Sequence, residues 1–190
     1  MELQHLVVKI PVAGPLGIDP AKVVDIFHKW VATQAVTGVT LVDVAELLHV
    51  PEGPGVVAVG VEADFALDHT GGIWGVVSRR KDLRPGTNAE RVEQAFAAAA
   101  LAAVWLEAAF PGALKFSRTD FELIVNDRGI APNTKDTYAQ AIPEIEEALR
   151  SLLGHGSFTL ARHDREPRQR FGVTVKSAKA FELAGPVAAN

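Results

Sequence analysis

Glu62 and Asp64 stand two positions apart in the largely apolar run Val56–Leu67. In an extended strand alternate side chains share a face, so Val57, Val59, Val61, Ala63, Phe65 and Leu67 would lie on one side and the two carboxylates on the other. Neighbouring carboxylates could hold a cation or divide the work of acid and base. The turn at Asp68-His69-Thr70-Gly71-Gly72, which leads to a second strand over Ile73–Lys81, decides between these and a plainer outcome. With Gly71-Gly72 as a two-residue primed turn, Asp64 falls opposite Arg79 and Glu62 opposite Lys81, and the charges neutralise one another. With a longer loop over 68–72, Leu67 faces Ile73, Glu62 faces Ser78, and the carboxylates lack basic partners. Gly-Gly favours the first register, and exposed cross-strand ion pairs contribute only about 0.2–1 kcal/mol. The hairpin is therefore expected to be a charged, solvated ribbon. If it carried an enzyme site, Glu62, Asp64, His69, Arg79 and Arg128 would form it.

Other polar groups have plainer readings beside them. A metal site would recruit His69, Asp68 and His49 with Glu62 or Asp64, since imidazole and carboxylate suit the same cations, but the spacing matches no ligand motif. Arg79-Arg80-Lys81 and Arg84 precede a helix start at Thr87, where free amides and guanidinium groups could attract a small anion. Charges at a strand end also discourage edge pairing, and the glycine pattern of a phosphate loop is missing. Asn126-Asp127-Arg128-Gly129 has the composition of a tight turn. Ser78, Ser117 and Ser157 lack the strand-turn-helix context of a nucleophile elbow.

Composition narrows the classes further. With 190 residues, 48% hydrophobic and 22% charged, the chain can bury a sizeable core. A net charge of -4 argues against nucleic-acid binding. The absence of cysteine excludes disulfides, thiolate nucleophiles and Cys-ligated metals. The N-terminus lacks the basic and apolar blocks of a secretory signal, and the longest uncharged run, Ala95–Leu106, is shorter than the roughly 20 residues that span a bilayer. A cytoplasmic protein without a membrane segment is expected.

These candidates need elements to position them. Leu6, Val8 and Ile10 alternate as a first strand; Asp19-Pro20 opens a helix carrying Val23, Phe27, Trp30 and Val31. Val39–Val44 is β-branched and strand-like, and Pro51–Gly55 is a loop into the hairpin. Thr87 and Glu90 form a capping box for a helix reaching about Ala109. A strand over Phe116–Asn126, a helix after Thr134 that contains Pro143 and ends at Gly154, and a hairpin from Ser157–Arg162 to Arg170–Lys176 complete the order βαβββαβαββ. Short connections between strands imply antiparallel pairing. The fold class is α+β: a two-layer, mainly antiparallel sheet with helices on one face, in one domain over 1–183 with a frayed tail at 184–190. Leu6–Val44 and Phe121–Leu160 both run strand, helix, strand, which admits a degenerate two-fold repeat.

The helix after Thr87 is apolar almost all round. Val92, Ala95, Phe96, Ala99, Ala103 and Leu106 form one stripe; Ala97, Leu101, Val104, Trp105 and Ala108 form another. Such a helix is buried on more than one side. It is either central to the domain, or its second stripe with Leu101, Val104 and Trp105 meets a second copy or holds an apolar ligand. The function expected is a non-catalytic binding or assembly module that self-associates through this helix. A small-ligand-binding protein or enzyme, with a carboxylate and arginine site on the 56–81 hairpin and a small anion as ligand, is the alternative. No cofactor is indicated.

Overall fold

Strong alternation of apolar residues in short segments bounded by Gly and Pro makes strands the dominant element. The computed structural model describes residues 1–183 apart from Arg165 and Pro167, so the tail expected to fray, 184–190, lies outside the described residues. Its elements are β1 (Leu6–Pro11), α1 (Val23–Thr33), β2 (Leu41–Leu47), β3 (Gly55–Gly60), β4 (Ala63–Asp68), β5 (Gly75–Arg80), α2 (Asn88–Ala109), β6 (Asp120–Val125), α3 (Lys135–Leu153), β7 (Phe158–Arg162) and β8 (Gly172–Ser177). The strands form one antiparallel sheet of eight, in the order β2-β3-β4-β5-β1-β6-β8-β7. This is the expected α+β, two-layer architecture. In that order three strands separate β1 from β2 and one separates β6 from β7, so the topology adds no support for an internal repeat.

One strand more is present than the sequence pattern indicates, because Val56–Leu67 is two strands. Val61 and Glu62 turn the chain between β3 and β4, and neither has a positive φ. Asp64 secures the turn: its Oδ1 accepts from the Gly60 amide at 3.1 Å and from Lys81 Nζ at 2.6 Å. Lys81 Nζ also donates to the Gly60 carbonyl. The turn reverses the parity of the faces. Phe65 and Leu67 join the core under the helices, Val57 joins the opposite face, and Val61 is exposed, so the single apolar face expected for the odd positions does not form. Glu62 is in the turn, where its carboxylate accepts from the Thr40 amide at 2.7 Å.

The helices all pack on one side. Asp19 accepts from the Ala21 amide and Pro20 begins a 3-10 turn that runs into α1, whose Val23, Phe27 and Trp30 are buried. The capping box of Thr87 and Glu90 is present at the start of α2. α2 lies against β1, β5 and α3 and buries Val92, Phe96 and Leu106 with five alanines. By length and composition it is the one helix among the described residues that could cross a membrane, but its packing is that of a core helix. Phe96, Phe121 and Phe181 meet edge to face, with centroids 4.9–5.6 Å apart.

Two expected outcomes follow from these contacts. Phe121→Ala removes the centre of the ring trio beneath α2 and should lower unfolding stability by about 3–5 kcal/mol in urea denaturation. The Thr40 amide holds the Glu62 carboxyl below the ordinary glutamate range. A carboxyl whose pKa is lowered by folding adds stability above its unfolded pKa and loses it as pH falls through the folded value. A carboxyl-carbon NMR titration should place the Glu62 midpoint below that of an unstructured glutamate peptide.

Candidate anion-binding site

The sheet has a second face that no helix among the described residues covers, and its strand registers define what lies there. Reading across β3, β4, β5, β1, β6 and β8, Val57, Ala66, Val77, Lys9, Glu122 and Thr174 form the middle row. A flanking row holds Val59, Asp64, Arg79, Val7, Ile124 and Gly172, and the row on the other side includes Asp68 and Gly75. Val7, Ala66 and Val77 are only 1–3% exposed even though no helix packs over them. Long polar side chains and the loops at the sheet ends therefore shield this face.

Lys9 is a buried charge there. From β1 it crosses β5 at Gly75 and reaches β4, where Nζ lies 2.8 Å from Asp68 Oδ1 and 2.9 Å from the Thr70 carbonyl. Both side chains are almost fully buried, at 7% and 4% exposure. Gly75 is required for this path: a Cβ there would lie 3.0 Å from Lys9 Cε and 2.8 Å from the Ile10 carbonyl oxygen. Asp68 in turn accepts from the Thr70 amide and hydroxyl at 2.9 and 2.8 Å. The β4–β5 connection is thus held over the sheet by three hydrogen bonds to Thr70.

On the same face an open cleft of about 690 Å³ is lined by Thr70, Gly71, Asn126, Arg128, Arg168, Gln169 and Arg170. Its walls come from opposite ends of the sheet. Thr70 and Gly71 follow β4, whereas Asn126 and Arg128 follow β6 and Arg168–Arg170 precede β8. β5 and β1 lie between those walls, with Lys9 and Val77 among their residues. Two of the guanidinium groups are anchored: Arg128 donates to the Arg168 carbonyl at 3.1 Å and Arg170 to Asn126 Oδ1 at 3.4 Å. No acidic residue lines the cleft among the described residues. Arginine forks in a concave, acid-free setting match the geometry of phosphate and carboxylate. To one side, His163 Nε2 lies 3.1 Å from Thr174 Oγ1 and 3.9 Å from Glu122.

Of the residues singled out from sequence, Asp64 and Arg79 meet, whereas Glu62, His69 and Arg128 have other partners or surroundings. Asp64 stands opposite Arg79, in the register of the Gly71-Gly72 turn, although the connection is a 3-10 turn over Thr70–Gly72 rather than a two-residue one. Arg79 Nη1 lies 3.7 Å from Asp64. Lys81, expected opposite Glu62, gives its ammonium to Asp64 instead, because Glu62 is taken up by Thr40. His69 stacks on Trp74 with centroids 4.4 Å apart. Asp127 accepts from the amides of Gly129 and Ile130, as a turn residue, while the adjacent Arg128 enters the cleft. The Arg79–Arg84 cluster divides: Arg79 and Lys81 serve Asp64, while Arg80 and Arg84 face Asp82 at 3.4 and 3.5 Å. Burial and the neighbouring Arg84 charge lower the pKa of Arg80. Among the described residues, no group of three or more His, Asp or Glu side chains converges as a metal site, His49 included.

On α2, Trp105 packs edge to face against Trp30 of α1 at 5.2 Å, so it serves the chain's own interior. Ala97 and Leu101 stand outside the core cluster, Val104 lies partly buried at its border, and Ala108 is exposed. Lys9, Arg168 and Arg170 are the groups that sequence reasoning missed. A lone lysine in a strand of otherwise apolar residues was the only local signal for the first; the arginines are dispersed along the chain. No protein-family model, curated protein or solved structure matches this chain, and the cleft is therefore interpreted from its own chemistry.

Proposed function

We propose that the protein binds a small organic polyanion, carrying phosphate or carboxylate groups, in the arginine-lined cleft. The observation that carries this reading is the convergence of Arg128, Arg168 and Arg170 on one concavity that no acidic residue lines among the described residues, in a chain of net charge -4. A volume of about 690 Å³ lies within the common range for small-molecule sites, roughly 300–1,000 Å³. Asn126 and Gln169 supply amide groups for the neutral part of such a ligand. Isothermal titration with pyrophosphate and with citrate tests the reading. Binding that weakens at least tenfold in Arg128→Ala and in Arg170→Ala, with the unfolding midpoint kept, is the expected result; no heat with either anion would refute it.

Self-association through α2 is a second reading, favoured by the position of Leu101 outside the core cluster. Its contact surface would centre on Ala97, Leu101, Val104 and Ala108, because Trp105 is engaged by Trp30. Light scattering over a range of concentrations should then give a dimer that Leu101→Glu dissociates. A monomer at every concentration would remove this reading and leave the cleft untouched.

A further inference from the structure

We infer that Lys9 is the positioning residue that sets the Thr70–Gly71 wall of the cleft, acting through a buried ion pair rather than through contact with the ligand; the inference rests on the anion-binding reading above. The ammonium group joins the wall at two points. It donates to the Thr70 carbonyl directly and to Asp68 Oδ1, and Asp68 takes both the amide and the hydroxyl of Thr70. Thr70 itself is exposed, so the anchors lie beneath it and its outer side is left for the cleft.

Stability alone is a weak reason for this arrangement. Desolvating two charges costs several kcal/mol, and apolar residues of similar volume often replace a buried pair with no loss. Lys9 also sits among Val7, Val77 and Ala66, where an apolar side chain would pack at no such cost. What an apolar residue could not do is hold the Thr70 carbonyl. The path is built into a third strand as well, since Gly75 leaves the space over which the lysine stem passes. Three strands thus combine to fix one loop, and that loop faces the arginines across the cleft.

The test compares the unaltered protein with Lys9→Met/Asp68→Leu, which removes both charges together. Hydrogen exchange of the Thr70 and Gly72 amides reads the wall; pyrophosphate and citrate affinity reads the site; urea unfolding reads the fold. The expected result is an unfolding midpoint close to that of the unaltered protein, with exchange at Thr70 and Gly72 accelerated at least tenfold and anion affinity reduced at least fivefold. A Lys9→Cys variant, labelled by 2-bromoethylamine in the unfolded state and refolded, restores an ammonium of nearly the same reach, and the chain has no other cysteine to react. It should recover slow exchange and affinity, and it decides the matter even where the double variant does not fold. Unchanged exchange in a folded variant, or failure of the aminoethylated chain to regain slow exchange, would overturn the anchoring role. Faster exchange with full affinity would overturn the link to binding. If the unaltered protein binds neither anion, the cleft reading falls and the positioning of a binding wall falls with it, whatever the exchange rates.

Discussion

An antiparallel sheet of eight strands with all its helices on one side must still finish its other side. The helix side is ordinary: alternate residues of β1, β3, β4, β5, β6 and β8 meet α1, α2 and α3 in one continuous core. The opposite side has valines and an isoleucine in its central strands and nothing regular above them. Apolar surface left there would favour association. The chain instead covers it with charged side chains that lie along the sheet and with loops drawn in from both ends.

Charge on such a surface is acceptable only when paired, and each pair has a geometric consequence. Asp64 joins Arg79 and Lys81, which fixes the β3–β4 turn through the Gly60 amide and carbonyl. Lys9 joins Asp68, which fixes the β4–β5 connection through Thr70. Both pairs couple a strand to a turn, so their contribution is conformational as much as energetic. The arginines differ in kind. Arg128 donates to a carbonyl and Arg170 to an amide oxygen, neutral acceptors that orient a guanidinium.

Much of this was legible in the residues and some of it could not be. The strands, the helix caps and the pairing of Asp64 with Arg79 follow from local rules, since alternation, Asp-Pro, Thr-x-x-Glu and Gly-Gly each act within a few residues. The break between β3 and β4 was hidden because its centre is Val61-Glu62, in place of the glycine or asparagine that a primed turn would need, and because an amide is satisfied by the Asp64 side chain instead of the strand ladder. With the break unseen, the carboxylates were placed on one face that does not exist. Arg128 is legible both as part of a turn and as a candidate site residue, and its neighbour Asp127 does make that turn; only tertiary structure brings it beside Arg168 and Arg170. A site assembled from loops 40 residues apart leaves no spacing to recognise.

In the hairpin both carboxylates already have partners. Asp64 accepts from an amide and an ammonium, and Glu62 accepts from the Thr40 amide, which keeps its charge while directing it to a neighbouring strand. Asp68, read from sequence only as a turn residue or a metal ligand, is the acid with a part in the cleft, through its hold on Thr70. In the proposed site the hairpin is a frame: β4 carries the wall, β5 supplies the glycine beneath it, and the lysine that joins them to the rest of the sheet comes from β1.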